Sequence, residues 1–217
     1  MSARTWYLVR HGETEWNATA RMQGQQDSAL TPRGVDQARA TATLLAQLGT
    51  DRLYASPLGR VRATIALINE QLALPVRFDD RLKEWSAGDW SGERYADIRL
   101  KWPIEWAAWE ADRVTYASPG GENFRDLADR AQAFLADVAL EPGGLRRAIV
   151  AHGFINRAIV GVLLSQSPAD TLRIQQDNGT IIRIVADDDR VVADHFAGSL
   201  EPIPGLPTRA RWPHGAA

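Results

Sequence analysis

Two short apolar runs that end alike constrain this chain more than any other feature. They are Leu8-Val9-Arg10-His11-Gly12 near the start and Ile149-Val150-Ala151-His152-Gly153 far downstream. Each reads as a strand covered on both faces, and each stops at His-Gly. In open α/β sheets, ligands bind just beyond the carboxyl ends of strands. If these two strands are neighbours, His11 and His152 face each other across one pocket, and Gly12 and Gly153 let backbone amides approach its contents. Arg10 adds a guanidinium, so the pocket suits an anion. A metal is the competing reading, because histidine is a common ligand. Neither histidine has HxH or HExxH spacing, however, and Arg10 would repel a cation.

The rest of the pattern alternates strands with amphipathic helices. Thr31-Pro32 opens a helix with apolar Val35, Ala38, Ala42, Leu45 and Leu48, and Gly49 stops it. Arg52–Ser56 reads as a strand. Pro57 starts a helix whose Leu58, Val61, Ile65, Ile68 and Leu72 fall on one stripe. After an irregular, tryptophan-rich middle, Phe124, Leu127, Ala131, Phe134 and Val138 make another helix. A helix also follows His152-Gly153, through Leu164. Gly179–Val185 and Arg190–Phe196, joined by three aspartates, read as a hairpin. This order predicts a three-layer α/β/α sandwich with a mainly parallel central sheet and a C-terminal hairpin. We expect one catalytic domain over 1–200, with 93–119 as a Trp-rich helical insert or cap. A Pro-rich extension, loosely ordered, is expected over 201–217.

The composition narrows the partners. A formal net charge of −2 over 217 residues offers no field for nucleic acid or a membrane surface. The absence of cysteine removes disulfides, thiolate nucleophiles and cysteine-held metals. No apolar run has the length of a membrane span, and Arg10 and His11 interrupt the only apolar stretch near the start, so a cytoplasmic location is expected.

Five blocks in order carry a resemblance. Arg10-His11-Gly12-Glu13-Thr14, followed by Trp16-Asn17, is similar to the signature of the histidine phosphatase, or phosphoglycerate mutase-like, superfamily. Ser56 to Thr64, Leu82-Lys83-Glu84 with Gly88 to Gly92, Gly120-Gly121-Glu122-Asn123 and Ala151-His152-Gly153 resemble its later blocks, Asn123 replacing the family's serine. The resemblance spans about residues 5 to 196.

It implies that His11 attacks phosphorus to form a phosphohistidine, that Arg10, Arg60 and His152 hold the phosphate oxygens, and that Glu84 is the general acid and base. Asn17 fits as a neutral donor at the pocket edge. Gln23, Gly24, Gly153 and Trp85 complete the expected substrate-binding set. The family spacing selects Arg60 over Arg62, and leaves Glu13 as a helix or loop anchor. Neither metal nor cofactor is expected. The expected partner is a small phosphomonoester, and a homodimer is possible.

The superfamily includes phosphatases and mutases. Glu84 is followed by Trp85-Ser86 rather than by a basic residue, and the stretch from Glu84 to Gly121 is shorter than the insert expected of a mutase. Hydrolysis is therefore the expected reaction; a cofactor-dependent mutase is the alternative, and a phosphate sensor the second. Trp102, Trp106 and Trp109 share one helical face. They read either as a core stripe or as a cap whose aromatics meet the organic half of a sugar-like or apolar substrate.

Overall fold

The computed structural model describes residues 3–187 and 190–208. Strand β1 (Arg4–Arg10) leads through the short helix α1 (Glu15–Ala18) to α2 (Pro32–Gln47), then β2 (Arg52–Ala55), α3 (Gly59–Leu72) and β3 (Val76–Phe78). Helices α4 (Tyr95–Lys101) and α5 (Pro103–Ala111) lie in the stretch expected to be an insert, and α6 (Phe124–Ala139) and β4 (Arg146–Ala151) follow. The chain continues through α7 (Gly153–Leu164), α8 (Pro168–Thr171), β5 (Thr180–Ala186), β6 (Val191–Ala197) and β7 (Ile203–Pro204).

The strands form one sheet in the order β3-β2-β4-β1-β5-β6-β7. The half from β3 to β1 is parallel, and the half from β5 to β7 is antiparallel. Core residues of β1 alternate between its two faces. Trp6 and Leu8 join the cluster that holds α6 and α7, whereas Tyr7 and Val9 join the one that holds α2 and α3. That alternation produces the three layers, because each face of a central strand must be covered by its own helices.

Local chemistry explains most boundaries. Thr31 caps α2 by accepting from the amide of Gly34 at 3.0 Å, with Pro32 at the first helical position. Asn123 caps α6 through the amides of Arg125 and Asp126. The start of α3 differs from expectation. It begins at Gly59 rather than Pro57, and no side chain of its own caps it. The carboxylate of Asp27, from a distant loop, takes the amides of Gly59 at 2.7 Å and Arg60 at 3.1 Å.

Two strands went unread in the sequence. β3 has only three residues, too few for a period, and β7 has two, one of them proline. β7 pairs with β6, Gln175 donates its amide to the carbonyl of Pro207, and Ile174 bridges to Thr208, so the segment expected to be loose from 201 is tied first to the sheet and then to the loop after α8 as far as Thr208. Residues 209–217 of that extension, and two aspartates of the hairpin turn, lie outside the described residues. Among the described residues, no helix is long and apolar enough to cross a membrane.

The tryptophans of α5 settle as core. Trp106 and Trp109 are buried, and they pack with Trp85 and Trp90 at ring separations of 5.0 to 5.9 Å. Arg99 and Arg113 lie over the faces of Trp106 and Trp109. The core-stripe reading therefore holds for this pair.

Candidate active site

Parallel pairing of β1 with β4 sets Arg10 opposite Ala151, so His11 and His152 emerge side by side, one residue past their strands. Their rings are 5.2 Å apart, and both residues are buried. The Nδ1 of His11 lies 2.8 Å from the carbonyl of Gly12. A carbonyl only accepts, so Nδ1 carries the proton and Nε2 the lone pair. Arg60 confirms the tautomer by donating Nε–H to Nε2 at 3.2 Å. Burial, then the charges of Arg60 and Arg10, hold the imidazole well below the usual histidine range and keep it neutral. Gly12 cannot be larger here, because a Cβ would sit 2.3 Å from the carbonyl oxygen of Gly34.

His152 is neutral for similar reasons, burial first and then Arg60, His11 and Arg10. Its Nε2 meets the hydroxyl of Ser56 at 2.8 Å, while its buried Nδ1 has no hydrogen-bond partner among the described residues. Arg10 gives Nη1 to the carbonyl of Gln176 at 2.9 Å and leaves a buried Nε without a partner. The two arginines therefore present themselves differently. Arg10 keeps one side of its fork for a ligand. Arg60 spends Nη1 on the carbonyl of Gln26 and on Asp27, and Nη2 on the carbonyl of Gly24. Arg62 is exposed and bonds to its own loop at Pro57, over Phe78, well away from the pocket.

Glu84 reaches the same point from the stretch before the insert. Its Oε1 accepts from the amides of Trp85, Phe154 and Ile155 at 3.0 to 3.2 Å, and its Oε2 accepts only from Phe154, at 3.1 Å. The carboxylate thus sits on the N-terminus of α7, where the helix dipole favours it. Oε2 retains room for another hydrogen bond.

These groups open on a cavity of about 350 Å³. All the expected site residues line it except His152, whose ring is 5.2 Å from that of His11. Asn17 is partly committed, since its Oδ1 accepts from the amide and hydroxyl of Thr14 and completes the cap of α1. Gly24 has a left-handed φ of 52°, which turns its carbonyl onto Arg60. Trp85 gives its indole N–H to the carbonyl of Glu122 and stacks on Trp109, so it contributes wall rather than a polar contact. Glu13 binds the Thr31 hydroxyl and Arg33, an anchor for the start of α2.

Several lining residues escaped sequence reading. Tyr95 enters from the first residue of α4, and Phe154 and Arg157 from the first turns of α7. Arg157 lies over the ring of Phe154 and is pushed down to about 10 by burial and by Arg10. Beyond them, Gln176 bonds the carbonyls of Leu8 and Thr180, and Asn178 bonds that of His11. Asn156 joins Gln176 to the carbonyl of Val9. These amides pin the loop that grips Arg10. Only the sequence position of Phe154 and Arg157, just after His152-Gly153, could have signalled their role.

The buried neutral histidines predict acid sensitivity of the fold. Their folded-state proton affinity lies below the unfolded one, so below about pH 6.5 the unfolded chain binds more protons. Stability is then lost as pH falls from 6.5 towards 5, by up to roughly 2.7 kcal/mol per pH unit for two such groups. Urea midpoints across that interval measure the slope; a flat profile would mean that the imidazoles are protonated in the fold.

Comparison with known proteins decides the family. Residues 6–197 match the model of the histidine phosphatase superfamily, branch 1. The chain belongs to this superfamily.

Among its members, the probable phosphoglycerate mutase GpmB of Escherichia coli is 35% identical over 179 residues, 82% of this chain and 83% of that protein. A mycobacterial glucosyl-3-phosphoglycerate phosphatase solved with VO3 superposes with a TM-score of 0.77 at 34% identity, over 83% of this chain and 92% of its own. The α-ribazole phosphatase of Shigella flexneri superposes with a TM-score of 0.81 at 25% identity, over 95% and 97%. In this superfamily member the pocket lining includes aromatic Trp85, Tyr95 and Phe154 together with the amides Gln23, Gln175 and Asn178.

Proposed function

We propose that this protein is a metal-independent phosphatase that hydrolyses a small organic phosphomonoester through a phosphohistidine on His11. The observation that carries the reading is the state of His11. It is neutral, with Nδ1 tied to the Gly12 carbonyl and Nε2 directed among Arg10, Arg60 and His152.

In the first step, the Nε2 lone pair forms a bond to phosphorus as the ester P–O bond breaks. Arg10 and Arg60 offset charge on the phosphoryl oxygens, and Nδ1 of His152 supplies a further N–H. Oε2 of Glu84, the less occupied carboxyl oxygen, gives its proton to the leaving oxygen. Water then attacks the phosphohistidine, returns a proton to Glu84 and restores His11. Arginines flanking two neutral imidazoles disfavour a cation at this position, which supports chemistry without a metal.

The cavity lies near the low end of the roughly 300–1,000 Å³ range of small-molecule sites. Aromatic faces interleaved with amides suit an organic group that carries hydroxyls, and the 34%-identical phosphatase is named for a glucosyl phosphoglycerate. The mutase reading is favoured by one finding, the name borne by the 35%-identical relatives. Phosphate release from an aryl phosphate, several sugar phosphates and phosphoglycerates, with excess EDTA, separates the readings. We expect release that is unchanged by the chelator and fastest with a sugar-bearing ester. Isomerisation of phosphoglycerate without release would establish the mutase instead.

A further inference from the structure

We infer that Asp27, in the loop after α1, is a positioning residue that acts on His11 through Arg60. The inference rests on the reading of His11 as the phosphoryl acceptor. One carboxylate of Asp27 makes three contacts: the amides of Gly59 and Arg60, at the first turn of α3, and the Arg60 Nη1 at 2.9 Å. The backbone of the same loop adds the carbonyls of Gly24 and Gln26 at 2.8 and 2.6 Å. Loop 24–27 is therefore a socket that takes three N–H groups of a guanidinium whose side chain is 1% exposed. Gln25 ties the socket to the opposite side of the pocket by donating to the backbone carbonyl of Glu84 at 3.1 Å.

The consequence lies at the far end of the guanidinium. With Nη1 and one N–H of Nη2 fixed, the planar fork has no rotational freedom, and its Nε–H falls on Nε2 of His11. In the free enzyme, Arg60 occupies the lone pair that must attack phosphorus. When phosphate enters, its oxygens take over the Nε–H and the remaining Nη2 N–H, and the lone pair is released facing phosphorus. The anion that binds thus frees the nucleophile that attacks it. Asp27 sets where Arg60 stands for that exchange, and its charge offsets a guanidinium that burial otherwise disfavours.

Asp27→Asn separates the roles of the carboxylate. The amide keeps one acceptor oxygen, which can stay on the Gly59 amide in place of Oδ2, so half of the cap on α3 survives, while the oxygen that takes the Arg60 amide and Nη1 is replaced by an NH2 and the charged contact is lost. We expect a modestly lower thermal midpoint, about tenfold weaker orthophosphate binding by calorimetry, and a fall in kcat/KM of about tenfold or more. That is the low end of what orienting partners contribute at ligand sites. The ¹⁵N signal of His11 Nε2 should also shift in the phosphate-free protein. Asp27→Ala should lose the whole cap and show a still lower midpoint. An Asn variant with wild-type phosphate affinity, turnover and His11 signal would overturn the inference and leave Asp27 a helix cap. If the wild-type protein neither binds orthophosphate nor hydrolyses any ester, the functional reading falls, while the His11 signal still tests the link from Asp27.

Discussion

Replacing His11 by alanine should abolish turnover of every ester the protein accepts while leaving phosphate binding measurable. Removal of a covalent nucleophile costs on the order of 10⁶ in kcat in a hydrolase where it has been measured, and nothing near His11 can substitute for it. His152 is the nearest imidazole, but its Nε2 is engaged by Ser56, and its Nδ1 is the N–H that the mechanism gives to the phosphoryl oxygens. The arginines stay charged and cannot attack. The binding half of the site is largely separate: Arg10 holds its place through Gln176, and Arg60 keeps its three contacts to the 24–27 socket when the one to His11 is lost. The variant should therefore bind orthophosphate within about tenfold of the wild type, since each 1.4 kcal/mol is a factor of ten and one neutral contact is lost. Rapid acid-free quenching of the wild type with substrate should trap phosphate on His11, and the variant should trap none. Turnover within tenfold of wild type in His11→Ala would remove the phosphohistidine from the mechanism.

How far this site could be read from sequence depends on where its parts come from. His11, His152 and Arg10 lie at strand ends, and strand ends in an α/β sheet converge, so two matching His-Gly stops were enough to bring them together. Arg60 and Glu84 needed the family's spacing, because nothing in the stripe of α3 distinguishes Arg60 from Arg62 until the socket around Arg60 is seen. The parts that stayed hidden are those whose partners are distant in sequence. Asp27 sits in an ordinary polar loop, Gln-Gly-Gln-Gln-Asp-Ser, and only the fold sets it against α3. Gln176 and Asn178 gain meaning from carbonyls in β1 and just past its end, more than 160 residues earlier. The tryptophan stripe was visible, but periodicity shows which residues share a face and not what that face meets. Here it meets the core, and the insert reaches the pocket through Tyr95 instead.

Glu84→Gln should reduce turnover by roughly 10²- to 10⁴-fold, the usual contribution of a positioned acid or base, with a dependence on the leaving group that identifies the role. Glutamine can keep the carbonyl oxygen on the amides of Trp85, Phe154 and Ile155, so the N-terminus of α7 stays capped and the wall of the pocket stays in place. What is lost is the proton carried by Oε2. An alkyl ester needs that proton as its P–O bond breaks, so phosphorylation of His11 should become slow and no burst of alcohol should appear. An aryl ester with an acidic phenol leaves without help, so phosphorylation should stay fast and hydrolysis of the phosphohistidine should become limiting, because the base for water is gone. The variant should then release one equivalent of phenolate per site in a burst, followed by slow turnover, and the phosphohistidine should accumulate. Equal losses with both ester types and no burst would show that Glu84 only organises the start of α7, and that proton transfer belongs to another group in the pocket, with Tyr95 the first to test.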